Sequence, residues 1–214
     1  MARSLIVFGH PHRDSFNGAL ASAYAAGLQR TGADVDWLHL GELRFDPLLR
    51  PHDTEQLLES DLLAARAAIE AADHVAWFFP TWWAGPPALV KGFIDRTFLS
   101  GWAFRYRERN PLPEGLLRGR SARLVTTMDS PGFWYTLWHG RSVHTAVINA
   151  TLRFVGFGPV RSTTIFGVRK LAPRDLARWI ARMELHGIAD GRRLLAKPRL
   201  QGRRPTAPLA EKAA

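Results

Sequence analysis

Five short runs of largely apolar residues, SLIVFG at 4–9, VDWLHL at 35–40, HVAWFF at 74–79, ARLVTTM at 122–128 and 160–166, recur along this chain with a helix-length pattern after each. A strand that is apolar at nearly every position must be covered on both faces, and helices are the elements available to cover it. The expected fold is therefore α/β, a doubly wound five-stranded parallel sheet. In the strand order 2-1-3-4-5, a ligand crevice lies outside the carboxyl ends of strands one and three, with strand four beside it. The helical patterns agree with that plan. Phe16, Leu20, Tyr24 and Leu28 share one face of a helix starting near Ser15, and Leu58, Leu62, Ala65 and Ile69 share a face of one starting near Asp53. Pro86 and Pro87 suit a helix start, followed by Val90, Ile94 and Phe98 at helical spacing. Further helices are expected over 141–155 and through Leu176, Ile180 and Met183.

At 214 residues and 46% hydrophobic, the chain suits a single domain, taken as 1–196, followed by KPRLQGRRPTAPLAEKAA at 197–214, a basic, Pro/Arg/Ala-rich tail without an apolar face that is expected to be mobile. There is no cysteine, which excludes disulfides, thiolate metal sites and cysteine nucleophiles. The opening MARSLIVFGH carries an apolar run too short for a signal segment or a membrane span, so a cytoplasmic protein, not embedded in a membrane, is expected. The net charge of +10 is uneven: residues 1–100 hold 8 Lys/Arg against 12 Asp/Glu, and the remainder 21 against 7. The basic half suits anions, but its arginines are dispersed and accompany no nucleic-acid motif, so no nucleic-acid partner is expected.

Three loops should meet at the crevice: 10–17, 80–85 and 128–140. The first, GHPHRDSFNGAL, runs from strand to helix start, where free backbone N–H groups, Ser15 and Asn17 suit a phosphate, although Ser15 as a simple cap explains the same residues. It contains neither a Gly-x-Gly-x-x-Gly fingerprint nor a Walker loop. His10 and His12 form a His-x-His pair without a third ligand in view, and no metal is expected. The second loop sets Trp82 and Trp83 at the crevice mouth, where two indole faces suit a flat conjugated ligand. In the third, TTMDSPGFWYTLWHG, Tyr135 and His139 stand four residues apart inside an aromatic wall, a phenol and an imidazole able to share a proton. The histidines at 39, 52, 74, 144 and 186 have no partner constellation and are expected at the surface.

The segments GHP…SFN, PTWWAGPPALVKGFIDRTF, GWAFRY and TT…Y…HG together resemble the flavodoxin-like NAD(P)H:quinone oxidoreductases of the DT-diaphorase type, over roughly residues 4–190. The resemblance implies a tightly bound flavin, FMN or alternatively FAD. His10, Ser15, Phe16 and Asn17 would lie on its phosphate side, and Pro80, Thr81, Trp82, Trp83 and Ala84 along the isoalloxazine, with Thr127 and Met128 at the end of strand four. It also implies a homodimer in which Phe104 and Tyr106 reach the site of a second subunit and help bind substrate. Tyr135 and His139 would be the catalytic pair. The implied activity is a hydride relay from NAD(P)H through flavin N5 to a quinone or similar flat acceptor. A different class of function, an accessory subunit regulating a membrane cation-efflux system, suits the same compact length.

Overall fold

A computed structural model describes residues 1–50, 56–108 and 110–196. Five parallel strands form the main sheet: β1 (Arg3–Phe8), β2 (Asp34–His39), β3 (His74–Pro80), β6 (Ser121–Thr127) and β7 (Val160–Ile165). Their spatial order is β2-β1-β3-β6-β7, which is the flavodoxin-like 2-1-3-4-5 once the two strands of a separate hairpin are skipped. Burial follows position in the sheet. Every residue of the central β3 and β6 is buried, while the edge strand β2 exposes Asp34, Asp36 and Trp37.

Helices α1 (Phe16–Gln29) and α5 (Pro173–Leu195) cover one face, and α2 (Ser60–Ala71) and α3 (Ala88–Thr97) lie with the core on the other. Leu20, Tyr24 and Leu28 of the expected α1 stripe are fully buried, with Phe16 packed at the margin. α1 and α5 approach so closely that a Cβ on Gly187 would lie 2.2 Å from the Tyr24 carbonyl oxygen. Beneath this contact, where the strands begin, a polar cluster is sealed in. Tyr24 Oη donates to Asp190 Oδ2 at 2.8 Å and meets His74 Nε2 at 2.8 Å, while His74 Nδ1 meets Ser121 Oγ at 2.9 Å and Arg123 Nε donates to Asp190 Oδ2 at 2.5 Å.

Several expectations are corrected. The expected α2 start at Asp53 lies outside the described residues; the described helix begins at Ser60, and Leu58 packs on the core from the segment before it. The helix expected over 141–155 is a π-helix, His144–Arg153, entered through two left-handed residues, Gly140 (φ 55°) and Arg141 (φ 54°). GWAFRY opens an antiparallel hairpin of β4 (Phe104–Arg107) and β5 (Asn110–Gly115), outside the main sheet. His74 and His144 are buried and hydrogen-bonded rather than at the surface, and His39 and His186 are half-buried; His52 lies outside the described residues, as does the tail from Lys197. Among the described residues, no helix is long and apolar enough to cross a membrane.

Candidate active site

The three loops converge at the carboxyl ends of β1, β3 and β6, and hydrogen bonds bind them to one another. In the first, Ser15 takes extended backbone angles at the N-cap of α1, and its Oγ accepts from Gly18 N at 3.1 Å. Asn17, 5% exposed, donates from Nδ2 to Thr127 Oγ1 at 2.9 Å, joining the first loop to the end of β6. Its Oδ1 is buried with no partner among the described residues. A buried amide oxygen left unpaired costs about 1–3 kcal/mol, so this atom favours a hydrogen-bond donor beside it. His10 Nδ1 lies 3.0 Å from the His12 amide that donates to it, and the His10 ring meets Trp82 edge-on at 6.3 Å. Arg13 is paired with Glu42 at 2.5 Å, which neutralises much of the positive charge this loop would otherwise present.

The second loop is a two-residue turn. Trp82 and Gly85 exchange both backbone bonds, at 3.0 and 2.9 Å, and the residues between them, Trp83 and Ala84, have φ of 50° and 56°. Two consecutive positive φ values belong to a type I′ turn, normally made by Asn-Gly. With a tryptophan and an alanine, each such residue stores roughly 1–3 kcal/mol of backbone strain. In this turn Trp83 stands wholly in solvent and Trp82 is about half exposed, both at the mouth. Pro80 ends β3 in the core, and Thr81 Oγ1 bonds Thr126 Oγ1 at 2.7 Å while Thr81 N donates to Thr127 O at 2.7 Å.

The third loop contains a short helix, α4 (Gly132–Leu137), whose Tyr135 points inward and is buried. The sequence pairs Tyr135 with His139, but the structure sends the phenol to His144. Tyr135 Oη meets His144 Nδ1 at 2.9 Å and accepts from the amides of Val143 at 3.1 Å and His144 at 3.4 Å, while His144 Nε2 meets Thr164 Oγ1 at 3.1 Å. Burial, above all, pushes the Tyr135 hydroxyl up against the pull of those amides, and burial followed by the Arg141 charge pushes the His144 imidazole down. Both groups are thus neutral near pH 7, and because two amides already donate to the phenol oxygen, its hydrogen is assigned to Nδ1 and the imidazole hydrogen to Nε2, facing Thr164. His139 sits against the edge of Trp134, at 6.4 Å between rings. The signal for His144 was available: it stands on the buried face of an apolar pattern with Val143, Val147, Ile148 and Leu152.

Two expected residues are placed less directly. Met128 is buried in the core, its amide donating to Ile165 O at 2.9 Å and its carbonyl accepting from Val168 N at 3.2 Å. Phe104 packs on Phe154 at 5.1 Å and on Tyr106 at 5.6 Å, and Tyr106 is 73% exposed. The hairpin thus presents Tyr106 outward. No cluster of three or more His, Cys, Asp or Glu side chains suited to a metal occurs among the described residues.

Residues 2–186 match the family described by the flavodoxin-like fold. The chain is 28% identical over 211 residues to the NAD(P)H dehydrogenase [quinone] 1 of Rattus norvegicus, covering 85% of this chain and 76% of that one. Among solved structures it is similar to Smu.1420 from Streptococcus mutans UA159, with a TM-score of 0.79 and 27% identity over 87% of this chain and 99% of the other. It shares its fold with an FMN-dependent NADH-azoreductase from Bacillus anthracis in complex with FMN, at a TM-score of 0.70 and 14% identity, covering 91% and 99% of the two chains.

Proposed function

The chain belongs to the family with the flavodoxin-like fold, and from that premise we propose that it is a flavin-dependent NAD(P)H:quinone oxidoreductase. The observation that carries the reading is the unpaired Asn17 Oδ1, buried where the first loop meets Thr127 and beside a strained turn flanked by two exposed indoles. A flavin fits these residues. A ribityl hydroxyl would supply a donor for Asn17 Oδ1, the start of α1 with Ser15, Phe16 and His10 would suit the phosphate, and the segment Pro80, Thr81, Trp82, Trp83 and Ala84 would offer backbone and ring surface to the flat heterocycle. Thr127 stands at the junction, and Met128 contributes through its place in the backbone. When bound, the flavin supplies the two-electron chemistry, accepting hydride from NAD(P)H and passing it to a quinone or similar flat acceptor. The chain's own part is to hold the ring, exclude water with the indoles, and manage a proton through Tyr135. FMN is favoured over FAD, in line with the FMN of the azoreductase of the same fold.

The cytoplasmic protein is expected to be yellow on purification, or to become yellow on adding FMN or FAD. Visible spectra and equilibrium dialysis check this; folded protein that binds neither flavin at micromolar concentration would end the proposal.

The domain at 1–196 is proposed to work as a homodimer, with Phe104 and Tyr106 bordering the substrate site of a second subunit. The support is the placement of Tyr106 on a hairpin outside the main sheet that leaves this aromatic exposed. Light scattering should give twice the chain mass, and Tyr106→Ala should raise KM for quinone more than it changes flavin content. A monomer with full turnover would remove the cross-subunit part.

A further inference from the structure

We propose that Ser142 is a positioning residue that clamps the left-handed Trp83–Ala84 turn in the shape the flavin site requires; the functional part of this inference rests on the flavin reading above. The two backbone bonds of the turn join only Trp82 and Gly85, so they close it without gripping the strained residues between them. The carbonyl of Ala84 is gripped from outside, by the hydroxyl of Ser142. Ser142 reaches it because Gly140 and Arg141, at φ 55° and 54°, turn the chain back after α4, and its amide is fixed to His139 O at 3.0 Å. The next two amides, of Val143 and His144, are held by Tyr135 Oη, and His144 is held in turn by Thr164 on β7. One left-handed pair is thereby fastened to another, and both are anchored through Tyr135 and His144 to the sheet.

Without the hydroxyl, nothing in this line prevents Ala84 from relaxing toward negative φ, which an alanine prefers. Relaxation would swing the Trp83 and Ala84 amides and both indoles away from the crevice. Glycine at position 84 has no such preference, because it adopts positive φ readily. The clamp therefore predicts a dependence between positions 84 and 142 that simple loss of a surface hydrogen bond would not create.

The test uses the full chain with FMN as probe, followed by flavin fluorescence, and amide exchange at Gly85 as a readout independent of flavin. Ser142→Ala is expected to raise the FMN Kd roughly 2- to 12-fold, the range for one net hydrogen bond, and to speed Gly85 exchange. Ser142→Thr, which keeps the hydroxyl, should stay near the wild-type Kd. In an Ala84→Gly background, Ser142→Ala should change Kd by less than about twofold. If Ser142→Ala alone does not fold, recovery of folding in the Ala84→Gly background supports the clamp, and failure to recover overturns it. An equal loss of FMN affinity with Ala or Gly at position 84 overturns it, as does unchanged Gly85 exchange in Ser142→Ala. Should the wild-type chain bind neither FMN nor FAD, the flavin reading fails and Gly85 exchange alone decides whether the clamp exists.

Discussion

Asp190→Ala is expected to remove about 3–5 kcal/mol of folding stability, the cost of breaking a buried ion pair from one side. Asp190 is 2% exposed, accepts hydrogen bonds from Arg123 Nε at 2.5 Å, Tyr24 Oη at 2.8 Å and Arg193 at 2.9 Å, and lies 3.9 Å from Arg161 Nε. Arg123 is itself 4% exposed, so the variant strands a guanidinium in the core with Thr163, at 3.0 Å, and the neutral Tyr24 beside it but no counter-charge bonded to it. Burial pushes the Asp190 carboxyl up, but the hydrogen bond and charge of Arg123 outweigh it and hold the group below its ordinary 3.8. A carboxylate lowered on folding stabilises fully above its unfolded value. That stabilisation is lost as pH falls through the lower folded value, so acid unfolding of the wild type should steepen below about pH 3.8. Urea titration at pH 7 measures the difference in unfolding free energy. Replacing both charges, as in Arg123→Met with Asp190→Leu, should recover a large part of the loss, because neither ion of the pair is left buried alone. A loss under about 1 kcal/mol in the single variant would mean that water reaches the pair and screens it as at a surface.

This cluster shows where the sequence can and cannot be read. Asp190 falls seven residues after Met183 on the buried stripe of α5, close to Gly187, Gly191 and Leu194, so its burial was legible in the spacing. Its buried partners were not, since Tyr24 comes from α1 and Arg123 from β6. The central strands were legible because β3 and β6 are buried at every position and carry apolar runs. The hairpin was not, because Arg105, Arg107 and Glu114 form their ion pairs across it, and its charged sequence lacks the alternation of a half-buried strand. The I′ turn was hidden by its composition: tryptophan and alanine carry no signal for positive φ. The convergence of the loops followed from strand order alone. The identity of the phenol's partner did not, because His144 lies nine residues beyond Tyr135 across a left-handed corner, and a search at helical spacing stops at His139.

That difference in partner decides the kinetics expected of the third loop. The proposal that Tyr135 manages a proton for the site requires a group able to take its hydrogen, and the neutral His144, 2.9 Å away through Nδ1, is that group. Where the phenol turns its hydrogen from His144 toward the negative charge a reduced flavin would carry, Tyr135→Phe should slow reduction by NAD(P)H by about 10- to 150-fold, corresponding to about 1.5–3 kcal/mol for a hydrogen bond to a charged group. Flavin content should change little. His144→Ala should act in the same direction, and the double variant should be little slower than the slower single one, because residues acting as a unit are not additive. His139→Ala, which removes only a ring edge from Trp134, should stay near the wild-type rate. The pH dependence follows from the same pair. Burial and Arg141 hold the His144 imidazole below its ordinary 6.5, so it accepts the phenol's hydrogen at neutral pH and loses that capacity only on the acid side. The reduction rate should therefore fall on the acid side, as pH drops through the lowered value of the His144 imidazole, and this limb should vanish in His144→Gln. Stopped-flow traces across pH 5 to 8 separate the cases. Wild-type rates in both Tyr135→Phe and His144→Ala would make the pair a strut for the loop, whereas a slow His139→Ala beside a fast His144→Ala would return the proton to the residue that the sequence pairs with the phenol.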